Sequence, residues 1–188
     1  MEKIPSQIDL NILRKQEMSK ENVNYYKGHL LFSILELNIW GACNRSCSFC
    51  PVSNKDFYTN KNEGISLELY TKLLEDLEKI KYNGTILFSA FSEPLLNKNI
   101  NKLIELSKSI LPNIHLEINS NGDVIKKNVK KLLGLYESGL DTIVISVYDG
   151  IEEYKMFECM QHENNLTDDS FIVRRRYFDE KKNDYGII

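Results

Sequence analysis

The sequence predicts an α/β fold in which short parallel strands alternate with amphipathic helices. Three observations lead there. Apolar segments of strand length begin near Leu35, Thr85, Ile114, Thr142 and Phe171. Between them, apolar residues recur at three- and four-residue spacing, the period of a helix with one buried face. Gly, Pro and Asn-Gly punctuate the junctions. Strand and helix in alternation are the signature of right-handed βαβ units around a parallel sheet. Periodicity alone leaves open whether five such strands form a doubly wound sheet or an arc of a barrel. Either arrangement gathers ligands at the carboxyl ends of the strands.

The elements follow in order. The opening residues are polar and aromatic by turns, and "SKENVNYYKGH" reads as a helix followed by an irregular approach. "LELNI", Leu35 to Ile39, alternates apolar and polar and reads as the first strand. Residues 41–65 lack periodicity, and so long a run inside a domain is uncommon unless it is functional. Ser66 is placed to cap a helix over 66–81, with Leu69, Tyr70, Leu73, Leu74 and Leu77 inward and Asn83-Gly84 beyond its end. "TILFSA" is the second strand, followed by a helix over Asn97 to Leu111 whose apolar stripe Ser107 interrupts. "IHLEINS", a helix from Asp123 to Ser138 closed by Gly139, and "TIVISVY" come next. A helix over Glu152 to Met160 leads to "FIVRRRYF" as the fifth strand. The loops holding the cysteines, "FSEP", "NSNGD" and "SVYDG" leave the first four strands and are expected to converge on one site.

At 188 residues the chain fits one domain, and an apolar share of 42% is that of a globular protein. Its 24 basic and 27 acidic residues give a formal charge of −3, which excludes a global basic field for nucleic acid or anionic lipid. The N-terminus lacks the layout of a secretion signal, and "LLFSIL" is too short to span a bilayer. A cytoplasmic protein without membrane association is expected.

Three of the four cysteines, Cys43, Cys47 and Cys50, fall within "WGACNRSCSFCP". Bunched thiols in a reducing compartment more often hold metal than form disulfides. Structural zinc wants four protein ligands and usually C-x2-C pairs, whereas the spacing here is C-x3-C-x2-C with only Cys159 spare. A cubane iron-sulfur cluster on three thiolates keeps one iron open for a non-protein ligand.

With Phe49 as the aromatic before the last cysteine, this motif resembles that of the radical S-adenosylmethionine (radical SAM) superfamily. The resemblance covers about Leu31 to Ile151 and extends to the fifth strand. It implies a partial (β/α) TIM-like barrel of about five parallel strands, incomplete relative to the usual six. It divides the chain into an N-terminal extension, residues 1–30, and an incomplete core domain, residues 31–188. It further implies a 4Fe-4S cluster on Cys43, Cys47 and Cys50, with S-adenosylmethionine chelating the open iron. Reductive cleavage would then give a 5′-deoxyadenosyl radical that abstracts hydrogen from a peptide, nucleotide, sugar or small metabolite. The electron would come from a donor such as flavodoxin or ferredoxin.

"SAFSEP" is similar to the glycine-rich Glu-Pro stretch of that family, making Glu93 a cofactor contact, although Ala90 and Ser92 stand where glycines are common. "NSNG" and "VISVYDG" bring Ser120 and Ser146 forward in the same role, beside Phe49. Glu93 also reads as a helix cap, and the two serines as strand-end hydroxyls bonded to their own backbone. The chain ends at "DYGII", with neither a sixth strand nor the cysteine-rich segment of many relatives. That points to a fragment, a truncated product or a domain completed by a partner. Two rival readings are an inactive or partner-dependent 4Fe-4S protein and a zinc-binding interaction protein with Cys159 as fourth ligand. Cys159 is otherwise expected to pack as a small apolar residue, and His29, His115 and His162 to be solvated or core histidines. Arg174 and Arg176 share one strand face and read either as facing an anionic substrate or as a solvated or ion-paired strand end.

Overall fold

The five apolar segments pair in the order in which the chain presents them. The computed structural model describes residues 7–21, 23–54, 56, 58, 59 and 61–177. Its elements are α1 (Gln7–Glu21), β1 (Tyr25–Tyr26), β2 (His29–Leu30), β3 (Ile34–Leu37), α2 (Leu67–Lys79), β4 (Thr85–Phe88), α3 (Ile100–Ile110), β5 (His115–Ser120), α4 (Asp123–Lys126), α5 (Val129–Glu137), β6 (Thr142–Val147), α6 (Ile151–Glu163) and β7 (Phe171–Arg175). Strands β3 to β7 form one parallel sheet in sequential order. A doubly wound sheet reverses strand order at a switch point, and this one does not. The choice left open by periodicity therefore falls to an arc of a TIM-like (β/α) barrel.

The pleat sorts the side chains. Ile86, Phe88, Leu116, Ile118, Ile143, Ile145 and Val147 point outward and pack under Tyr70, Leu74, Leu103, Ile104, Leu132, Leu135 and Phe157 of the helices. The alternate residues of the same strands, among them Glu117, Asn119, Ser146 and Arg174, turn to the inner face.

Several helix boundaries differ from expectation for local reasons. Ser66 caps α2 by accepting from Leu69 N at 3.1 Å, but the helix ends at Lys79, before Asn83-Gly84. Lys81, at φ 56°, takes the left-handed position, and Tyr82 N closes onto Leu77 O at 3.0 Å. Leu69 is exposed rather than inward. Ser107 does not weaken α3: its buried hydroxyl meets Tyr70 Oη at 2.6 Å and donates to Leu103 O at 2.7 Å, joining α2 to α3. The helix expected over 123–138 breaks in two where Asn128 accepts from Lys131 N at 3.3 Å and starts a new helix. Gly139 closes α5 as expected, with φ 106° and Leu140 N bonded to Leu135 O at 3.1 Å.

The N-terminal region departs most. The helix lies earlier, and the tyrosines expected in or after a helix form the hairpin β1–β2. Its two-residue turn, Lys27-Gly28, has positive φ at both positions, the geometry that matches strand twist. Helix α1 packs on β7 and sends Arg14 to the inner face, where Nη2 donates to Glu117 Oε2 at 2.7 Å. Lys15 Nζ lies 3.6 Å from the other oxygen. Glu117 is 1% exposed, so this pairing compensates a buried charge. Phe178, at the end of the expected fifth strand, lies outside the described residues. No described helix is long and apolar enough to cross a membrane.

Candidate active site at the carboxyl ends of the strands

One pocket is walled by all four loops expected to converge and by the end of β7. Cys43, Cys47, Phe49 and Cys50 contribute from the loop after β3, Ser89 to Glu93 from the loop after β4, Asn119 to Asn121 from the end of β5 and just beyond it, Ser146 and Tyr148 from the end of β6 and just beyond it, and Arg174 and Arg176 from the end of β7 and just beyond it. The neck of the cysteine loop is tied shut by an antiparallel bridge between Trp40 and Gly64. Gly41 N donates to Glu63 O at 2.7 Å and Ile65 N to Ile39 O at 3.2 Å. A Cβ on Gly41 would meet Lys61 O at 2.7 Å, so the close approach requires glycine.

Arg45, between the first two cysteines, fastens the loop to the far side of the pocket. Its Nε and Nη2 grip Asp123 at 2.7 and 2.6 Å, a bidentate pair. The same guanidinium reaches Asp149 at 3.0 Å and Glu153 at 3.4 Å, and lies over the Tyr148 ring. Lys126 bonds Glu153 from the other side. Asp123 is held down at about 2, first by its Arg45 hydrogen bonds, while the surrounding carboxylates push the Arg45 guanidinium further up. Glu153 in turn accepts from Tyr148 N and Asp149 N at 3.1 and 2.9 Å, fixing the loop after β6.

The sequence-derived site residues come together in three groups. Cys43, Cys47 and Cys50 are half-buried free thiols on the pocket wall. Burial pushes the Cys43 thiol up, against the backbone N–H of Arg45 that donates to its sulfur at 3.4 Å. Burial likewise raises Cys47, against the Arg45 charge. Asn121 Nδ2 lies 3.8 Å from Cys43 Sγ. Phe49 stacks obliquely on Tyr148 at 5.6 Å, and Ser146 hydrogen-bonds the Tyr148 hydroxyl. Glu93 and Ser120 form the third group. Glu93 is 1% exposed and accepts from Leu95 N at 3.0 Å, Ser120 Oγ at 2.8 Å and Asn121 N at 2.8 Å. It both caps the turn Pro94–Leu96 and pins the β4 loop to the β5 loop. Burial raises its pKa to about 7 against those three bonds. Ala90, at the first glycine-like position, has φ 80°, whereas Ser92 has no such strain.

Two expectations change. Cys159 is exposed on α6 and lies outside this pocket, so it neither packs as an apolar residue nor stands with the triplet as a fourth zinc ligand. Arg174 and Arg176 are not an ion-paired strand end: both are half-buried and line the pocket, and no carboxylate among the described residues forms an ion pair with either. The sequence reading did not single out Arg45, Asn121, Asp123 or Tyr148. The available signal was a cation inside the cysteine motif and an acid following each of "NSNG" and "VY", partners 78 and 104 residues apart for Arg45.

The donor chemistry of the triplet fits an iron-sulfur cluster: three soft thiols, with N–H groups aimed at one sulfur. Among the described residues no group of three His, Cys, Asp or Glu side chains is already gathered closely enough to grip an ion.

A three-cysteine loop leaving the first strand of an open parallel β/α arc defines the radical SAM class. The Radical SAM superfamily profile matches residues 37–164, and the chain belongs to that superfamily. Members use a 4Fe-4S cluster and S-adenosylmethionine, and those are its cofactors. It is similar to the S-adenosyl-L-methionine-dependent 2-deoxy-scyllo-inosamine dehydrogenase of Niallia circulans, 30% identical over 120 residues, which are 64% of this chain and 46% of that protein. It is also similar to the GTP 3′,8-cyclase of Clostridium acetobutylicum, 32% identical over 120 residues covering 60% of this chain and 34% of the relative. The chain thus spans less than half the length of these curated relatives. A crystal structure of BtrN in complex with AdoMet and 2-DOIA superimposes with a TM-score of 0.63 at 24% identity, covering 77% of this chain and 57% of that one, a likeness of fold.

Proposed function

We propose that this chain carries the radical-generating half-site of a radical SAM enzyme, with Cys43, Cys47 and Cys50 as the cluster ligands. The observation that supports it most is the placement of the three thiols in one pocket with loops from every strand of the arc. When bound, the reduced cluster would supply the one electron that breaks the C5′–S bond of S-adenosylmethionine, releasing methionine and a 5′-deoxyadenosyl radical that would take a hydrogen atom from the substrate.

The chain's own residues supply binding and orientation. Arg45, through Asp123 and Asp149, holds the cysteine loop in register with the β5 and β6 loops. Glu93 and Ser120 set the two loops that border the cofactor, and their mutual hydrogen bond makes them supports of its cradle. Phe49 and Ser146, on either side of Tyr148, face the space the cofactor takes. The electron donor is a small redox protein such as flavodoxin or ferredoxin. The relatives' names give an aminocyclitol and a nucleotide as substrates of those proteins, and this chain acts on a small molecule of comparable size.

Iron and sulfide analysis after anaerobic reconstitution tests the ligand set. About four irons and four sulfides per chain are expected, and close to none when Cys43, Cys47 and Cys50 are changed to alanine. Retention of the full complement by that variant, or stoichiometric zinc in place of iron in the native chain, would overturn the assignment.

A further inference from the structure

The pocket carries positive charge on the wall opposite the cysteine loop that the cluster reading leaves without a task. Arg174 pairs in register with Ser146, so it stands on the inner face beside a residue that lines the pocket. Arg176 N continues the ladder by donating to Val147 O at 2.8 Å, which returns the next inward position to the same face. Arg175, between them, turns away, with Nε on Tyr177 O at 3.1 Å. The two inward backbone positions are therefore about 6.6 Å apart along the strand.

Their charge is not neutralised locally. No described carboxylate forms an ion pair with either, and Arg174 Nε is buried with no hydrogen-bond partner. The groups whose charge reaches Arg174 are Arg176, Tyr148 and Glu117. Glu117 is already paired with Arg14 and flanked by Lys15. The other cation of the pocket, Arg45, is by contrast surrounded by Asp123, Asp149 and Glu153. Holding two half-buried guanidiniums side by side on one face is unfavourable unless an anion arrives to take their donors. A phosphate or carboxylate offers acceptors to both forks at once, whereas an ammonium group is repelled.

We propose that Arg174 and Arg176 form an anion subsite that receives a phosphate or carboxylate group of the substrate, so that this chain acts on an acidic small molecule rather than a cationic amino sugar. The inference rests on the radical SAM reading of the same pocket. The shared chemistry admits one other source, the carboxylate of S-adenosylmethionine, and the test separates the two.

Inorganic pyrophosphate is titrated by calorimetry into the reconstituted chain saturated with S-adenosylmethionine, and cofactor affinity is measured separately by equilibrium dialysis. Pyrophosphate should bind, and Arg174→Gln and Arg176→Gln should each weaken it about tenfold or more. Arg174→Lys should recover part of the loss, and thermal unfolding of each variant checks that the fold is intact. Cofactor affinity should move less than about twofold in all of them. Undetectable pyrophosphate binding by the native chain, or equal binding by the glutamine variants, overturns the proposal. So does a tenfold loss of cofactor affinity with pyrophosphate and cofactor competing, which assigns the arginines to the cofactor's own carboxylate. The same titration on the cluster-free chain separates the two readings. Arginine-dependent binding there, in a chain that takes up no cluster, keeps the anion subsite and dismisses the radical chemistry.

Discussion

Glu93 is the residue whose replacement reports most directly on how the pocket is assembled. Its carboxylate accepts three hydrogen bonds and is 1% exposed, and burial lifts its pKa from an ordinary 4.5 to about 7. A group whose pKa is raised on folding favours the fold fully below its unfolded value. That contribution is lost as pH climbs through the folded value. A rise from 4.5 to about 7 corresponds to about 3 kcal/mol present near pH 4.5 and absent near pH 8.

Glu93→Gln removes the titration and sets an amide N–H against Asn121 N–H, a fixed loss of about 1–3 kcal/mol that does not vary with pH. Urea unfolding of the native and variant chains, both metal-free and reduced, is compared from pH 4.5 to 8, so that every other titrating group cancels. The native chain should lose about 2–3 kcal/mol relative to the variant across that range. Parallel pH profiles, differing by less than about 0.5 kcal/mol from end to end, would refute the reasoning and show Glu93 to be charged throughout.

Three further outcomes are expected. Ala90→Gly relieves a left-handed alanine at φ 80° and should stabilise the fold by about 0.5–1 kcal/mol, read as a higher urea midpoint at unchanged slope. Gly122→Ala places a Cβ 2.3 Å from Phe157 Cζ and 2.9 Å from an Ile145 methyl at φ 78°, so unfolding should show a loss of about 2–4 kcal/mol. Cys43 and Cys47 are raised thiols that must lose protons to bind metal, so cluster uptake should grow as pH rises from 7 to 9, measured as iron bound per chain.

What the sequence disclosed was local chemistry and local period. The spacing of Cys43, Cys47 and Cys50 needs no long-range information, and neither do the caps at Ser66 and Gly139, which sit within a turn of what they cap. Contacts made by folding were not legible. Arg45 meets Asp123 across 78 residues, and nothing near either marks the pair. Period two put Arg174 and Arg176 on one face without saying which face looked inward, because a parallel strand is covered on both sides. The hairpin at Lys27-Gly28 was hidden because its turn uses a lysine at a position that usually advertises itself with asparagine. Ser107 looked like a flaw in α3 until Tyr70 of another helix supplied its partner.

The central claim is that the three thiols hold a cluster that opens S-adenosylmethionine. Its most direct test is to incubate the reconstituted, dithionite-reduced chain with S-adenosylmethionine and measure 5′-deoxyadenosine, with the triple alanine variant alongside. The account predicts 5′-deoxyadenosine from the native chain and none above background from the variant. No product from a native chain that carries its full iron and sulfide would contradict it, and would leave a cluster-binding domain that depends on a partner for chemistry.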